Sequence, residues 1–387
     1  MVKICGIIVE YNPFHNGHAY HIKKAREQTG ADLIVAVMSG NFLQRGEPAI
    51  VDKWQRAAAA VANGVDVVIE LPVEWAVQSA DYFAAGAVRL LEKLGCEAIC
   101  FGTDEHSKFD YVGYGQFYQQ NHMRINQAIQ AMNNPTLTYA EKMIEVMRRL
   151  NPTITFQENQ PNHLLALSYA KENALLASPM RLVPIKRKTA AYHSEKLQGA
   201  ISSATAIRKA LAQGESVAES VPDATMRDLT VANVVCWENY WLLLNYRIIT
   251  SSLAELRQIY QMVDGLEYRF KKMIRQSRSF DELINQVASK RYPLGRIQRL
   301  CVYILCNFTK KEITEQWTTP LLRPLAYNQK GQQFLAQLSK EKLAVVARFA
   351  KKESLLYPLT LKADQVYQLG NPQITEQNFG RYVKIQA

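Results

Sequence analysis

The first hundred residues alternate between apolar runs and segments of helical period, and that alternation leaves few folds open. "VKICGIIV" (2–9), "ADLIVAVMSG" (31–40), "VDVVIELP" (65–72) and "CEAICFGTD" (96–104) are rich in apolar and β-branched residues with no polar alternation, the pattern of strands covered on both faces. Between them lie "NGHAYHIKKAREQTG", stopped by Gly30, then "DKWQRAAAAVANG", with Asp52 placed to cap it and Gly64 to stop it, and "SADYFAAGAVRLLEKLG". Caps and stops of these kinds mark helices. Strand and helix in turn at this spacing predict βαβ units and a parallel sheet. In such sheets ligands bind beyond the carboxyl ends of the strands.

Residues 110–178 read as helical, "MRLVPIKRK" (180–188) as one more strand, and "SSATAIRKAL" (202–211) as the start of a helix. The polar stretch "AQGESVAESVPDAT" (212–225) suggests a boundary, giving domains at 1–215 and 216–387. Beyond it, segments such as "LAELRQIYQMVDGLEYRFKKMIRQ" have helical period, and little reads as strand before the last thirty residues.

The turn after the first strand carries the chemistry. "VEYNPFHNGHAYHIKKA" (9–25) puts His15, Gly17 and His18 where a strand becomes a helix. Free N–H groups and the dipole at a helix start favour an anion. Gly17 lets a ligand approach the backbone, so the amides of Asn16 and Gly17 are expected to cradle phosphate. Imidazole donors there suit a phosphate whose charge grows during reaction. His21, one turn on, is expected to pack. No G-x-x-x-x-G-K-[ST] or G-x-G-x-x-G occurs, so a phosphate site here is of another kind.

Composition narrows the partners. No run of 18 apolar residues occurs in the 387, so no membrane-spanning helix is expected, and a cytoplasmic location is the default. The six cysteines form no C-x-x-C pair and read as reduced, buried thiols rather than a zinc site. Net charge is +11. It is uneven: residues 1–220 hold 22 Lys/Arg against 21 Asp/Glu, and residues 221–387 hold 24 against 14. A basic second half points to a polyanion partner.

With these residues in view, "YNPFHNGH" (11–18) resembles the H-x-G-H signature of the nucleotidyltransferase superfamily, and "SATAIR" (203–208) resembles its second, S-S-T-x-I-R motif, with Ala204 where the second Ser is usual. In order, "MSGNFLQRGEPAIVDKWQRA" (38–57), "FGTDEHS" (101–107), "PNHLLALSYAKE" (161–172) and "IKRKTAAYHS" (185–194) resemble the bacterial tRNA(Met) cytidine acetate ligase family, more loosely continued by "SKRYPLGRIQRL" (289–300). The resemblance implies a Rossmann-like α/β nucleotidyltransferase domain followed by a mainly α-helical, tRNA-binding one. It implies a ligase that activates acetate with ATP, through acetyl-adenylate and with pyrophosphate release. The acetyl group then passes to N4 of the wobble cytidine of elongator tRNA(Met). His15 and His18 would be the catalytic phosphate contacts. ATP would be bound along Ile7, Ile8, Val9, Glu10, Tyr11, Asn12, Pro13, Phe14, His15, Asn16, Gly17, His18, Ala19 and Tyr20. Gly102, Asn162, Arg187, Lys188, Ser203, Thr205 and Arg208 would join them. Mg2+ would arrive with ATP, and no protein-ligated metal is expected.

For the RNA, residues 269–299 offer Arg269, Lys271, Lys272, Arg275, Arg278, Lys290, Arg291, Arg296 and Arg299, interleaved with Tyr268, Phe270 and Tyr292 as stacking candidates, as RNA-binding surfaces require. Arg45 and His106 carry no firm role. Two other functions stay open. A small-molecule adenylyltransferase would share the H-x-G-H site but has no need of the basic half, and a non-catalytic RNA-binding protein would tolerate loss of both histidines.

Overall fold

The computed structural model describes residues 2–104, 109–134, 137, 139–152, 161–187, 197, 199–229, 234–263, 265–318, 320, 322–341 and 343–385. The strands expected from sequence form where expected: β1 (Ile4–Val9), β2 (Leu33–Ser39), β3 (Val67–Leu71), β4 (Ala98–Thr103) and β5 (Arg181–Lys186). All five run parallel, in the order β5-β4-β1-β2-β3. Two more strands extend this sheet beyond β3: β6 (Pro324–Tyr327), antiparallel, and β7 (Lys384–Ile385). The second half therefore contributes strands to the first half's sheet. β6 lies ahead of the last thirty residues, in a region where little reads as strand. At four residues, one of them Pro324, it is too short to show a period.

Successive strand residues serve opposite faces. Leu33, Val35 and Val37 of β2 enter one core, and Ile34, Ala36 and Met38 the other. Helices α1 (Asn16–Thr29) and α2 (Lys53–Ala62) cover the second face. On the first lie α3 (Val73–Ala76), α4 (Ala80–Lys93), α5 (Tyr111–Ala131), α6 (Tyr139–Leu150) and α7 (Pro161–Ala174). The expected punctuation holds. Asp52 accepts the Gln55 N–H at 2.9 Å as the cap of α2, and Gly30 closes α1 in the left-handed conformation, φ 64°. Because β1 lies between β2 and β4, the chain leaves on one side and returns on the other. The crevice at the carboxyl ends of β1 and β4 is the place where such sheets bind ligands.

Then follow α8 (Ala204–Ala212), α9 (Asp223–Asp228), α10 (Trp237–Thr250), α11 (Leu253–Gln258), α12 (Leu266–Met273), α13 (Phe280–Val287) and α14 (Leu294–Leu305). The stretch 253–276, helical in period, is broken between α11 and α12, where Gln261 and Gly265 take φ 59° and 93°. The helical core receives Phe42, Val73 and Val77 from the first half. A buried charge cluster also crosses the chain: Lys53 Nζ lies 2.6 Å from both Glu70 and Asp364, and Arg323 lies 2.9 Å from Glu70. Two positive and two negative groups balance there, as burial demands. Five cysteines are buried as expected, and Cys236 is exposed.

Candidate active site

The turn from β1 into α1 is held from several sides. Tyr11 takes φ 53° and the Asn12–Pro13 bond is cis. Asn12 Oδ1 accepts the Ile50 N–H at 2.7 Å, and its carbonyl accepts Arg208 Nη1 at 2.8 Å. Arg56, 1% exposed, donates to the carbonyls of Glu10, Ser39, Gly40 and Val51, tying together the loops at the carboxyl edge of the sheet.

His15 caps α1. Its Nδ1 accepts the Gly17 N–H at 3.0 Å, and His18 Nδ1 accepts the His15 N–H at 3.2 Å. The two imidazoles do for each other what Ser and Glu do in a capping box. With each Nδ1 accepting, each neutral ring carries its proton on Nε2. The rings stack at 3.7 Å. Burial first, then Arg187 and Arg208, hold the His15 pKa down at about 3. Burial, then His15, Arg187 and His21, hold His18 well below the usual imidazole range. Two neutral N–H donors thus stand side by side. Gly17 is required by this stack: a Cβ there would meet His15 Cε1 at 2.8 Å.

This arrangement corrects one expectation. The amides of Asn16 and Gly17 are not free for phosphate. Asn16 N–H donates to Ser220 O at 3.1 Å, and Gly17 N–H is taken by His15. The rings, not the first-turn amides, are the available donors.

Both histidines line a pocket of about 450 Å³ at the ends of β1 and β4. Of the residues expected at nucleotide, Ile8, Val9, Glu10, Tyr11, Asn12, Gly17, Tyr20, Gly102, Asn162, Arg187, Ser203, Thr205 and Arg208 also line it. Ile7, Pro13, Phe14, Asn16 and Ala19 do not. Ile7 and Phe14 are buried in the core under α1, Ala19 packs on that core, and Pro13 is buried. The Asn16 amide is spent on the carbonyls of Ala200 and Glu219, both at 2.9 Å. Lys188 and His106 lie outside the described residues.

Around the pocket, Asn162 Nδ2 donates to Asp104 at 2.7 Å, with Arg187 Nε 3.8 Å from the same carboxylate. Arg208 pairs with Glu47 at 3.2 Å. Ser203 caps α8, its Oγ accepting the Ala206 N–H at 3.1 Å. Glu10 accepts the Gln44 N–H at 2.6 Å, and burial pushes its pKa up. Sequence reasoning missed Leu43, Gln44, Glu47, Phe83, Phe101, Leu165, Tyr169, Ile185, Lys186, Ile201 and Ala204, which also line the pocket with Arg45. Most come from loops and strand ends with no period to read. His21, expected only to pack, lines the pocket too, and its Nε2 is buried without a partner. Burial, then Arg187, hold its pKa at about 4. The signal was available: His21 follows His18 by three residues, hence on the same helix face. Among the described residues, no group of three or more His, Cys, Asp or Glu is placed to hold a metal ion.

The basic residues of 269–299 divide. Arg269 donates to the carbonyls of Gln286, at 2.7 and 3.2 Å, and Ala288, at 3.0 Å, and Lys271 to that of Ile249 at 2.8 Å. Lys272, Arg275, Arg278, Lys290 and Arg291 are exposed. Arg291, Arg296 and Arg299 line a second, larger cleft. Phe270, expected as a stacking ring, is instead fully buried in the helical core.

A sheet parallel through β1–β5, with stacked, neutral H-x-G-H histidines at its switch point, defines a nucleotidyltransferase-type protein. The model of the HIGH Nucleotidyl Transferase family matches residues 2–381. The chain is 41% identical to the tRNA(Met) cytidine acetate ligase of Latilactobacillus sakei, over 98% of this chain and 97% of that one. It is likewise 41% identical to the enzyme of that name from Streptococcus agalactiae serotype Ia, with the same coverages. Among solved structures it resembles Thermotoga maritima TmcAL bound with alpha-thio ATP, at 29% identity, TM-score 0.86 and 99% coverage of both chains. The apo form of that protein gives a TM-score of 0.90. The chain belongs to the HIGH nucleotidyl transferase family and, within it, to the tRNA(Met) cytidine acetate ligases.

Proposed function

We propose that this protein is an ATP-dependent ligase that acetylates N4 of the wobble cytidine of elongator tRNA(Met). The observation that carries the reading is the pair of Nε2–H donors of His15 and His18, side by side in a pocket of nucleotide size. Support for the RNA substrate comes from the names of its relatives and from the basic second half.

In this reading ATP enters as its magnesium complex and lies across the ends of β1 and β4. Acetate oxygen attacks the α-phosphorus, the bond to the bridging oxygen of the β-phosphate breaks, and pyrophosphate leaves. Such a transfer asks the protein for position and charge stabilisation rather than for a nucleophile. The imidazole N–H groups donate to the phosphate oxygens as charge builds, and Arg187 and Arg208 add positive charge. Neutral rings suit this role, because a neutral donor holds its geometry without binding the ground-state triphosphate too tightly. The cytidine amine then attacks the acetyl carbonyl, loses a proton, and AMP departs. The division of labour assigns adenylation to residues 1–215 and RNA holding chiefly to 216–387.

The test is incubation with ATP, labelled acetate and elongator tRNA(Met), followed by nucleoside analysis. Labelled N4-acetylcytidine is expected. Pyrophosphate released only with a nucleotide or phosphopantetheine acceptor would instead mark a small-molecule adenylyltransferase.

A further inference from the structure

A second cavity adjoins the nucleotide pocket and shares its walls. It is a cleft of about 1200 Å³ lined by α4, α5, α6, α7 and the start of α14. Along α4, Tyr82 and Ala85 line the cleft and Phe83 the pocket. Along α7, Leu164, Leu167 and Ser168 line the cleft, and Asn162, Leu165 and Tyr169 the pocket. The loop that carries Gln44 and Arg45 closes the gap from the other side. Gly46 there meets α14 backbone to backbone, since a Cβ on it would lie 2.3 Å from Arg299 N.

The cleft has the chemistry of a nucleic-acid seat. Its two acidic groups, Asp81 and Glu172, are both engaged by Lys171, at 2.7 and 3.5 Å. Arg89, Arg291, Arg296 and Arg299 form no ion pair among the described residues. Arg89 lies over Trp75 at 5.3 Å and Arg296 over Tyr292 at 5.0 Å, and a guanidinium so placed can still bind phosphate through its N–H groups. In its wall Tyr82 stacks on Trp317, 4.7 Å apart and 20° from parallel, with Tyr82 43% exposed. Trp75 also lines the cleft, is 3% exposed, and its indole N–H has no partner. Unpaired arginines around an exposed ring fit a single strand, whose bases stack while its phosphates meet charge.

We propose that this cleft seats the single-stranded loop of the RNA substrate, one unpaired base stacking on Tyr82 and the loop phosphates lying on Arg89, Arg291 and Arg296, so that the neighbouring cytidine crosses the shared wall to the acetyl-adenylate. The proposal rests on the ligase reading above. It makes α4 and α7 of the first half part of the RNA site, and so places RNA contacts outside 269–299.

The test compares Tyr82→Ala, Tyr82→Phe and Arg291→Glu with the wild type, reading KM for tRNA(Met) in acetylcytidine formation. Acetate-dependent ATP–pyrophosphate exchange in each variant reports an intact nucleotide pocket. Loss of the stacking ring is expected to raise KM for the RNA roughly ten- to a hundredfold, with Tyr82→Phe near wild type and Arg291→Glu also weakened. Wild-type KM values in Tyr82→Ala and Arg291→Glu would overturn the cleft assignment and leave the ligase reading standing. A Tyr82→Phe defect as large as that of Tyr82→Ala would overturn stacking. A wild-type protein that makes acetyl-adenylate but never acetylates tRNA(Met) would overturn both.

Discussion

The two cavities share α4 and α7 yet hold charge in different ways. In the nucleotide pocket the candidate donors are neutral imidazoles pinned by backbone hydrogen bonds at 3.0 and 3.2 Å, and the guanidiniums already have carboxylates near them. In the cleft, arginines without carboxylate partners lie over aromatic rings. The contrast follows from the task each would perform. Acting on one bond needs donors whose direction is set before the ligand arrives, because reorganisation during reaction raises the barrier. Holding a long hydrated polyanion needs distributed charge that exchanges places with released counterions.

The largest way to break this contrast is to remove a pinned donor. His18→Ala deletes one Nε2–H and the acceptor of the His15 N–H. Adenylation, read as acetate-dependent pyrophosphate exchange, is expected to fall by about 10²- to 10³-fold, the usual effect of one transition-state donor. Binding of tRNA, read by filter retention, is expected to survive. Unchanged exchange would remove His18 from the chemistry and leave its ring as a cap only.

A titration sharpens the contrast further, because only the pocket keeps its nitrogen donors uncharged by burial. His15, 3% exposed, has a pKa of about 3 in the fold, against about 6.5 when unfolded. Between those values the unfolded chain binds a proton that the native ring refuses. Stability due to His15 is therefore complete above pH 6.5 and is lost as pH falls, by about 1.4 kcal/mol per pH unit. Glu74, whose pKa burial pushes up to about 8, works in the opposite sense over the same range, so the wild-type curve alone is ambiguous. The comparison with His15→Asn isolates the term. Asn is a good helix cap and its Oδ1 can take the Gly17 N–H, but it does not titrate. Urea unfolding at pH 6.5 and 5.0 is expected to show the wild type losing about 2 kcal/mol more than the variant. Parallel losses would mean that the ring is protonated in the fold.

Much of this was legible in sequence, and the residues show why. β1 to β4 are buried on both faces, so their apolar runs are unbroken and hard to misread. The histidines stood out because H-x-G-H sits at the end of the first of those runs. What failed depends on partners distant in the chain. Asn16 looked like a phosphate cradle, but its amide is taken by Ser220, and β6 is a strand only because β3 leaves an edge for it. The nucleotide-pocket wall from Leu43 to Glu47 has no period, and Tyr82 reads as one more aromatic on an amphipathic helix until Trp317 is laid against it.

The same limit divides two arginines that look alike in sequence, and the smallest expected effects separate them. Arg269 and Arg275 lie six residues apart in one basic run. Arg269 is half-buried and donates to the carbonyls at the end of α13, whereas Arg275 is exposed. Arg269→Ala should therefore cost about 1 kcal/mol of stability, the net value of such hydrogen bonds, a shift of roughly 2 °C in Tm for a chain of this size. Its tRNA affinity and salt dependence should match the wild type. Arg275→Ala should leave Tm unchanged and make the slope of log K against log salt shallower by about one, the signature of one lost phosphate contact. If both substitutions change the slope, the whole run faces RNA and the fold tolerates losing the latch on α13. If neither does, the RNA is held by the cleft arginines and the exposed basic face of the run serves another purpose.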